Sequence, residues 1–211
     1  MKVYFMVIVA FLAACSGKPE AETPDTGKVD NNVYTNDFFS LRLQIPKGWV
    51  VQNETEVKAI SEESKNILKQ TDPTLESKVD SLEKTTVQML TVFEKEPSDT
   101  AEFNASFVVM AEKLPSNVPG MDEKIYLTLA ATELRKSGFY ASVSAVPQER
   151  KTATQNFATI KAAITGADDA QAYQEFFVKK SGAYVLIFIA SYRTKDQHDV
   201  LTDALESVTL E

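Results

Sequence analysis

Tyr184-Val-Leu-Ile-Phe-Ile-Ala190 is an unbroken run of seven apolar or aromatic residues. A strand with one wetted face alternates apolar and polar side chains, so a run without alternation has to be covered on both faces. This run therefore predicts a central strand, with the remaining elements layered on either side of it.

The neighbouring segments supply the sheet. Phe139–Ala145, Asn156–Thr165, Ala172–Lys179 and Ala183–Tyr192 read as strands, with turns at Gly166-Ala-Asp-Asp169 and Lys180-Ser-Gly182. Thr85–Phe93 and Phe103–Met110 read as a hairpin with a long polar link over residues 94–102. Phe39-Ser-Leu41-Arg-Leu43-Gln-Ile45 alternates strictly, which predicts a half-buried strand. Pro46-Lys47-Gly48 stops it, and Trp49-Val50-Val51 resumes an apolar path.

Helices are marked by their caps. Asn53 with Glu56 has the spacing of a capping box, followed by Val57, Ile60, Ile67 and Leu68 on one face. Asp72-Pro73 restarts a helix, with Leu75, Val79 and Leu82 at helical spacing. Met121–Lys136 has Asp122 and Glu123 at its start and Arg135 and Lys136 at its end. Ile125, Leu129 and Leu134 are its expected buried face, and Gly138 its stop. Thr194 with Gln197 forms a second capping box, and Leu201, Ala204, Leu205 and Val208 line the inner face of a closing helix.

The N-terminus is an address. Lys2 precedes a mostly apolar run, Val3 to Leu12, and then Leu12-Ala13-Ala14-Cys15. A short positive region, a brief apolar region and small residues before a break mark a secretory signal. The tetrad resembles a bacterial lipobox, which implies removal of residues 1–14 and lipidation of Cys15. An ordinary signal peptide that happens to carry a Cys is the alternative. Ser16, rather than Asp, resembles the outer-membrane sorting rule of Gram-negative hosts, with the protein facing the periplasm. Residues 15–32 hold Pro19, Pro24, Gly17 and Gly27 with few apolar side chains, and are expected to be a flexible tether. Residues 33–211 are expected to form one domain, large enough to bury ~70% of its unfolded surface.

Composition narrows the chemistry. The net charge is −8, which argues against nucleic acid and against electrostatic adhesion to an anionic membrane. Cys15 is the only Cys, so no intramolecular disulfide forms, and once lipidated it is no thiolate nucleophile. His198 is the only His, which excludes a two-His metal site and weakens any Ser/His scheme. It shares a face with Leu201 and Leu205 and reads as a helix-start His at the core rim; a pH sensor or lone base is the alternative.

Ser81-Leu-Glu-Lys84 matches Ser-x-x-Lys, but no Lys-Thr-Gly or Ser-Asp-Asn accompanies it. Asp168-Asp169 reads as a turn former before it reads as a cation site. Asn53-Glu-Thr55 and Asn104-Ala-Ser106 fit a glycosylation pattern that is idle in most bacterial envelopes. The chain has no G-x-G-x-x-G or P-loop spacing. Met89, Met110 and Met121 read as core gap-fillers. No cofactor, metal or catalytic set is expected.

The front of the domain, Asn36-Asp-Phe-Phe39-Ser40-Leu-Arg-Leu-Gln-Ile45-Pro46-Lys-Gly48-Trp49, the strand from Asn156 and the ending Leu205-Glu-Ser207-Val208 resemble the PsbP/DcrB superfamily. The resemblance covers about residues 33–211. It implies an α+β fold, an α-β-α sandwich of an antiparallel sheet with helices on both faces. The superfamily includes photosystem extrinsic subunits and small bacterial lipoproteins, so the resemblance implies little about activity. The chain has no His and carboxylate cluster like that of metal-binding photosystem relatives, and no metal is carried across.

The expectation is a lipid-anchored, non-enzymatic envelope protein that binds another protein, in assembly or stress support of a membrane complex. The expected partner surface is the 54–84 helices, with Glu76, Lys78 and Glu83 as its charges, and the sheet edge. A carrier of a small ligand, with a pocket between sheet and helices near Trp49, is the second reading.

Overall fold

The computed structural model describes residues 24–71, 85–97, 103–115, 120–165 and 170–210. The elements run β1 (Lys28–Asp30), β2 (Val33–Asn36), β3 (Leu41–Gln44), β4 (Val50–Val51), α1 (Glu54–Thr71), β5 (Thr86–Phe93) and β6 (Ser106–Lys113). They continue with α2 (Glu123–Lys136), β7 (Ser142–Val143), β8 (Gln148–Lys151), β9 (Asn156–Thr165), β10 (Gln171–Ser181), β11 (Tyr184–Tyr192), α3 (Lys195–Glu206) and β12 (Thr209–Leu210). The class is α+β, as expected, and every strand pair is antiparallel.

The large sheet has the order β4-β5-β6-β11-β10-β9-β7, with β8 also pairing β9. Strand β11 is at its middle, and all nine of its residues are buried, as its unbroken apolar run requires. Its pleat feeds two separate cores. Leu186, Phe188 and Ala190 join Phe107, Val109 and Ala111 of β6 on one face. Val185, Ile187 and Ile189 join Val108 and Met110 on the other. The first core also holds Leu41 and Leu43 of the small sheet β1-β2-β3-β12 and Leu201, Leu205 and Val208 at the chain's end. Phe188 anchors it, with its ring centroid 5.5 Å from that of Phe157.

The second core holds α2. Its buried residues are Tyr126, Leu127, Ala130, Ala131 and Leu134. Of the three residues expected on the buried face, Leu134 is buried, Leu129 is half-buried and Ile125 is 44% exposed. The helix is rotated from the expected phase because Ala130 and Ala131 turn to the sheet. Small side chains there let the helix axis approach the strands, and Tyr126 and Leu127 fill the space beside them. Asp122, expected inside the first turn, is instead the N-cap and accepts from the Ile125 amide at 2.8 Å.

The other caps also form. Asn53 Oδ1 accepts from the Thr55 and Glu56 amides, and Glu56 Oε2 accepts from the Asn53 amide at 2.8 Å. Thr194 and Gln197 complete a capping box at α3. The helix expected from Asp72, and the side chains of Ile67 and Leu68, lie outside the described residues.

Part of the stretch expected to be a tether, residues 24–32, is tied to the small sheet. Pro24 is buried, and β1 pairs with β2 through a turn in which Asn31 and Asn32 both have positive φ. Asn36 Nδ2 donates to the Asp25 carbonyl at 2.9 Å, and Tyr34 donates its hydroxyl hydrogen to the Thr26 carbonyl. Gly27, at φ +74°, has to be glycine: a Cβ there would stand 2.5 Å from the Thr35 carbonyl oxygen. Polar side chains that satisfy backbone groups, rather than apolar burial, hold this segment down. Residues 15–23 lie outside the described residues.

Candidate functional site

The start of α1 is the centre of a cleft of about 300 Å³. One wall is Gln88–Thr91 of β5, the second is Val51–Glu54 with Val57, and the third is Thr26–Val29 with Tyr34. The local sequence explains why these walls meet. Strand β4 is only two residues long and pairs with Val92 and Phe93. The Gln52 amide then donates to the Thr91 carbonyl at 2.9 Å, and Asn53 turns the chain into α1. On β5, the register shifts between Gln88 and Leu90, so Met89 is a bulge residue. The extra residue bends the strand and turns both Met89 and Leu90 into the first core.

Gln52 is 8% exposed, and its Nε2 has no hydrogen-bond partner. An unpaired buried amide is costly, which makes this side chain the most unusual feature of the cleft. Opposite it, Gln88 Nε2 donates to Thr91 Oγ1 at 2.8 Å. Trp49 packs, half-buried, against the first core and is not part of the cleft lining; this agrees with its reading as a rim plug.

Two clusters of ionisable side chains stand elsewhere. On the rim beside α3, Glu175 Oε1 accepts from Tyr192 at 2.5 Å and lies 3.5 Å from Lys161 Nζ and 3.6 Å from His198 Nε2. Lys161 Nζ stands over the Tyr173 ring at 4.3 Å, and His198 packs on Tyr192. Burial and the bond to Glu175 raise the Tyr192 pKa above its ordinary value. His198 thus stands on the rim, packed on Tyr192 and close to Glu175.

The second cluster is inside the α2 core. Tyr126 donates its hydroxyl hydrogen to Glu112 Oε2 at 2.7 Å. Burial pushes the Glu112 carboxyl up to about 7, while the Tyr126 bond pulls in the opposite direction. Burial, and then the carboxylate beside it, hold the Tyr126 phenol well above its usual range.

The expected site residues Cys15, Glu76, Lys78 and Glu83 lie outside the described residues, as do Ser81, Asp168 and Asp169, which were read as structural. Asn53 is a helix cap, and Asn104 clasps the backbone of Lys95 with both ends of its side chain. Sequence reasoning passed over Gln52, Glu112 and Glu175. Glu112 carried one usable signal, a lone acid inside an apolar strand that runs on to Lys113. Among the described residues, no group of three or more His, Cys, Asp or Glu stands where it could hold a metal. No helix among them is long and apolar enough to cross a membrane.

The chain matches no protein-family model and no curated protein. It does resemble solved structures. It is similar to the cyanobacterial PsbP, CyanoP, of Synechocystis, at 12% identity and a TM-score of 0.49, over 95% of this chain and 99% of that one. It is also similar to LpqN of Mycobacterium tuberculosis, a protein involved in cell envelope biogenesis. There the identity is 13% and the TM-score 0.46, over 81% of this chain and 83% of that one.

Proposed function

We propose that this chain is a lipid-anchored cell-envelope protein that acts by binding a partner protein and carries out no catalysis. The anchor is Cys15, on the strength of the Leu12-Ala13-Ala14-Cys15 tetrad. Two or three acyl chains on that residue would hold the protein at a membrane where a single chain binds only marginally. In a Gram-negative host the location would be the outer membrane, facing the periplasm. The proposal includes a PsbP-like α-β-α sandwich, a reading supported by α2 and α3 contributing to different cores.

The observation that carries partner binding is the edge of β5. Its partner β4 covers only Val92 and Phe93 of an eight-residue strand. Among the described residues, the stretch from Thr86 to Leu90 has no strand on its outer side. An uncovered sheet edge is a template for another chain. Glu76, Lys78 and Glu83 are proposed, from the sequence alone, as charges that contribute to partner capture. Reversing all three should leave the melting curve nearly unchanged, the outcome for charges on the solvated helix face that the sequence predicts, and should slow partner capture.

A photo-crosslinking amino acid placed at Gln88 in intact cells tests the reading. One discrete membrane-associated product is expected from Gln88 and none from Thr132, an exposed α2 position away from the cleft. Equal products from both positions, or none from Gln88, would refute it. A small-ligand carrier is the second reading, favoured by the apolar side chains Val29, Val51, Val57, Met89 and Leu90 in the cleft wall.

A further inference from the structure

We propose that the cleft at the start of α1 receives an extended, uncharged, apolar segment of a partner protein. That segment adds as a strand to β5 and accepts a hydrogen bond from the side-chain amide of Gln52. The inference rests on the partner-binding reading and specifies its chemistry.

Four features of the cleft select that occupant. First, two sheet edges face one slot. Among the described residues, the outer side of β5 has no strand beyond the Gln52 amide bond to the Thr91 carbonyl, and β1 is the terminal strand of the small sheet. Residues from both, Gln88–Thr91 and Thr26–Val29, line the same space. A single strand ~4.8 Å from β5 would meet peptide groups that pair with no other strand among the described residues.

Second, Gln52 lacks an acceptor. Its Nε2 is buried and unpaired. The terminal torsion of Gln is soft, so the amide can turn to a carbonyl in the cleft without a rotamer change. A peptide carbonyl supplies what is missing and removes the desolvation penalty of the empty state.

Third, Val29, Val51, Val57, Met89 and Leu90 give the slot an apolar part between polar, mostly uncharged side chains. The two charged lining residues, Lys28 and Glu54, have opposite signs, so the site favours no net charge. Fourth, about 300 Å³ is at the small end of ligand cavities, which run ~300–1,000 Å³; that suits a few residues of extended chain better than a cofactor.

Methionine provides the reporter. Met89 lines the cleft, while Met110 and Met121 belong to the opposite core. The full chain, labelled in its methionine methyl groups and held in detergent micelles, is titrated with the blocked peptide acetyl-Thr-Val-Thr-Val-Thr-Val-amide. The Met89 methyl signal should move saturably, with Met110 and Met121 fixed. N-methylation of alternate peptide nitrogens should weaken binding about tenfold or more, and Gln52→Leu should weaken it several-fold with Met110 and Met121 unchanged, as expected for lost hydrogen bonds.

A static Met89 signal at millimolar peptide overturns the proposal. So does equal binding of the N-methylated peptide, which would leave only an apolar cavity, or equal binding by Gln52→Leu. A Met89 shift that depends on protein concentration alone would assign the slot to a second copy. A shift on deleting residues 16–23 would assign it to the chain's own N-terminal segment. Crosslinking from Gln88 in cells without any peptide effect would retain the partner and refute strand addition; loss of both would refute the parent reading as well.

Discussion

Tyr126 and Glu112 are joined by a 2.7 Å hydrogen bond sealed between α2 and the sheet. Both residues are nearly inaccessible, at 2% and 4% exposure, in a core otherwise made of Val, Ile, Leu, Ala, Met and Phe. The bond ties the first turn of α2 to β6, and it makes the stability of the domain depend on pH.

In the unfolded chain Glu112 ionises near its ordinary value of 4.5, whereas in the fold burial raises it to about 7. Between those values the folded protein keeps a proton that the unfolded chain has lost. Its contribution is therefore fully present below about 4.5, falls as pH rises toward 7, and stays low above. The swing is about 3 kcal/mol. Urea unfolding at pH 5 and pH 8 should show the loss, and Glu112→Gln should flatten it. A Gln variant with the same pH slope as the wild type would rule out Glu112 as its source.

The phase of α2 gives a second test. Leu127 is 1% exposed and Ile125 is 44% exposed. Leu127→Ala should lower stability by about 3 kcal/mol, and Ile125→Ser should change it by less than about 0.5 kcal/mol. The reverse order in denaturant midpoints would mean that the helix presents its other face to the sheet.

Removal of the α1 cap by Asn53→Ala frees two helix-start amides, those of Thr55 and Glu56. The expected loss is about 1 kcal/mol, seen as a lower urea midpoint with an unchanged slope. Because Asn53 also lines the cleft, the Met89 methyl signal should move in this variant, while Met110 stays in place.

The anchor is tested at Cys15. Cys15→Ser should convert a membrane-bound protein into a soluble or uncleaved one, and fractionation after lysis reads the outcome. A wild-type protein found wholly in the soluble fraction would end the lipoprotein reading, since an acidic chain of net charge −8 has no electrostatic hold on an anionic surface.

How much of this was legible in the chain depended on whether a feature is local. The central position of β11 follows from seven consecutive residues, and the caps at Asn53 and Thr194 follow from a spacing of three. Strand β9 spans Asn156–Thr165, the bounds read from its residues. In each case one short segment contains both the signal and its physical cause.

Other features were settled only by tertiary structure. Strands β1 and β8 are polar, and they form because β2 and β9 offer them hydrogen-bonding edges. The Asn31-Asn32 turn was a usable hairpin signal there, but its first strand is exposed throughout and has no apolar alternation. The rotation of α2 was decided by how closely Ala130 and Ala131 let it approach the sheet. Gln52, Glu112 and Glu175 acquire their roles from residues distant in sequence, Thr91, Tyr126 and His198 among them. Periodicity records which side chains avoid water. It carries no record of which polar groups find a partner, or of which buried amide is left without one; those depend on neighbours brought together by the fold.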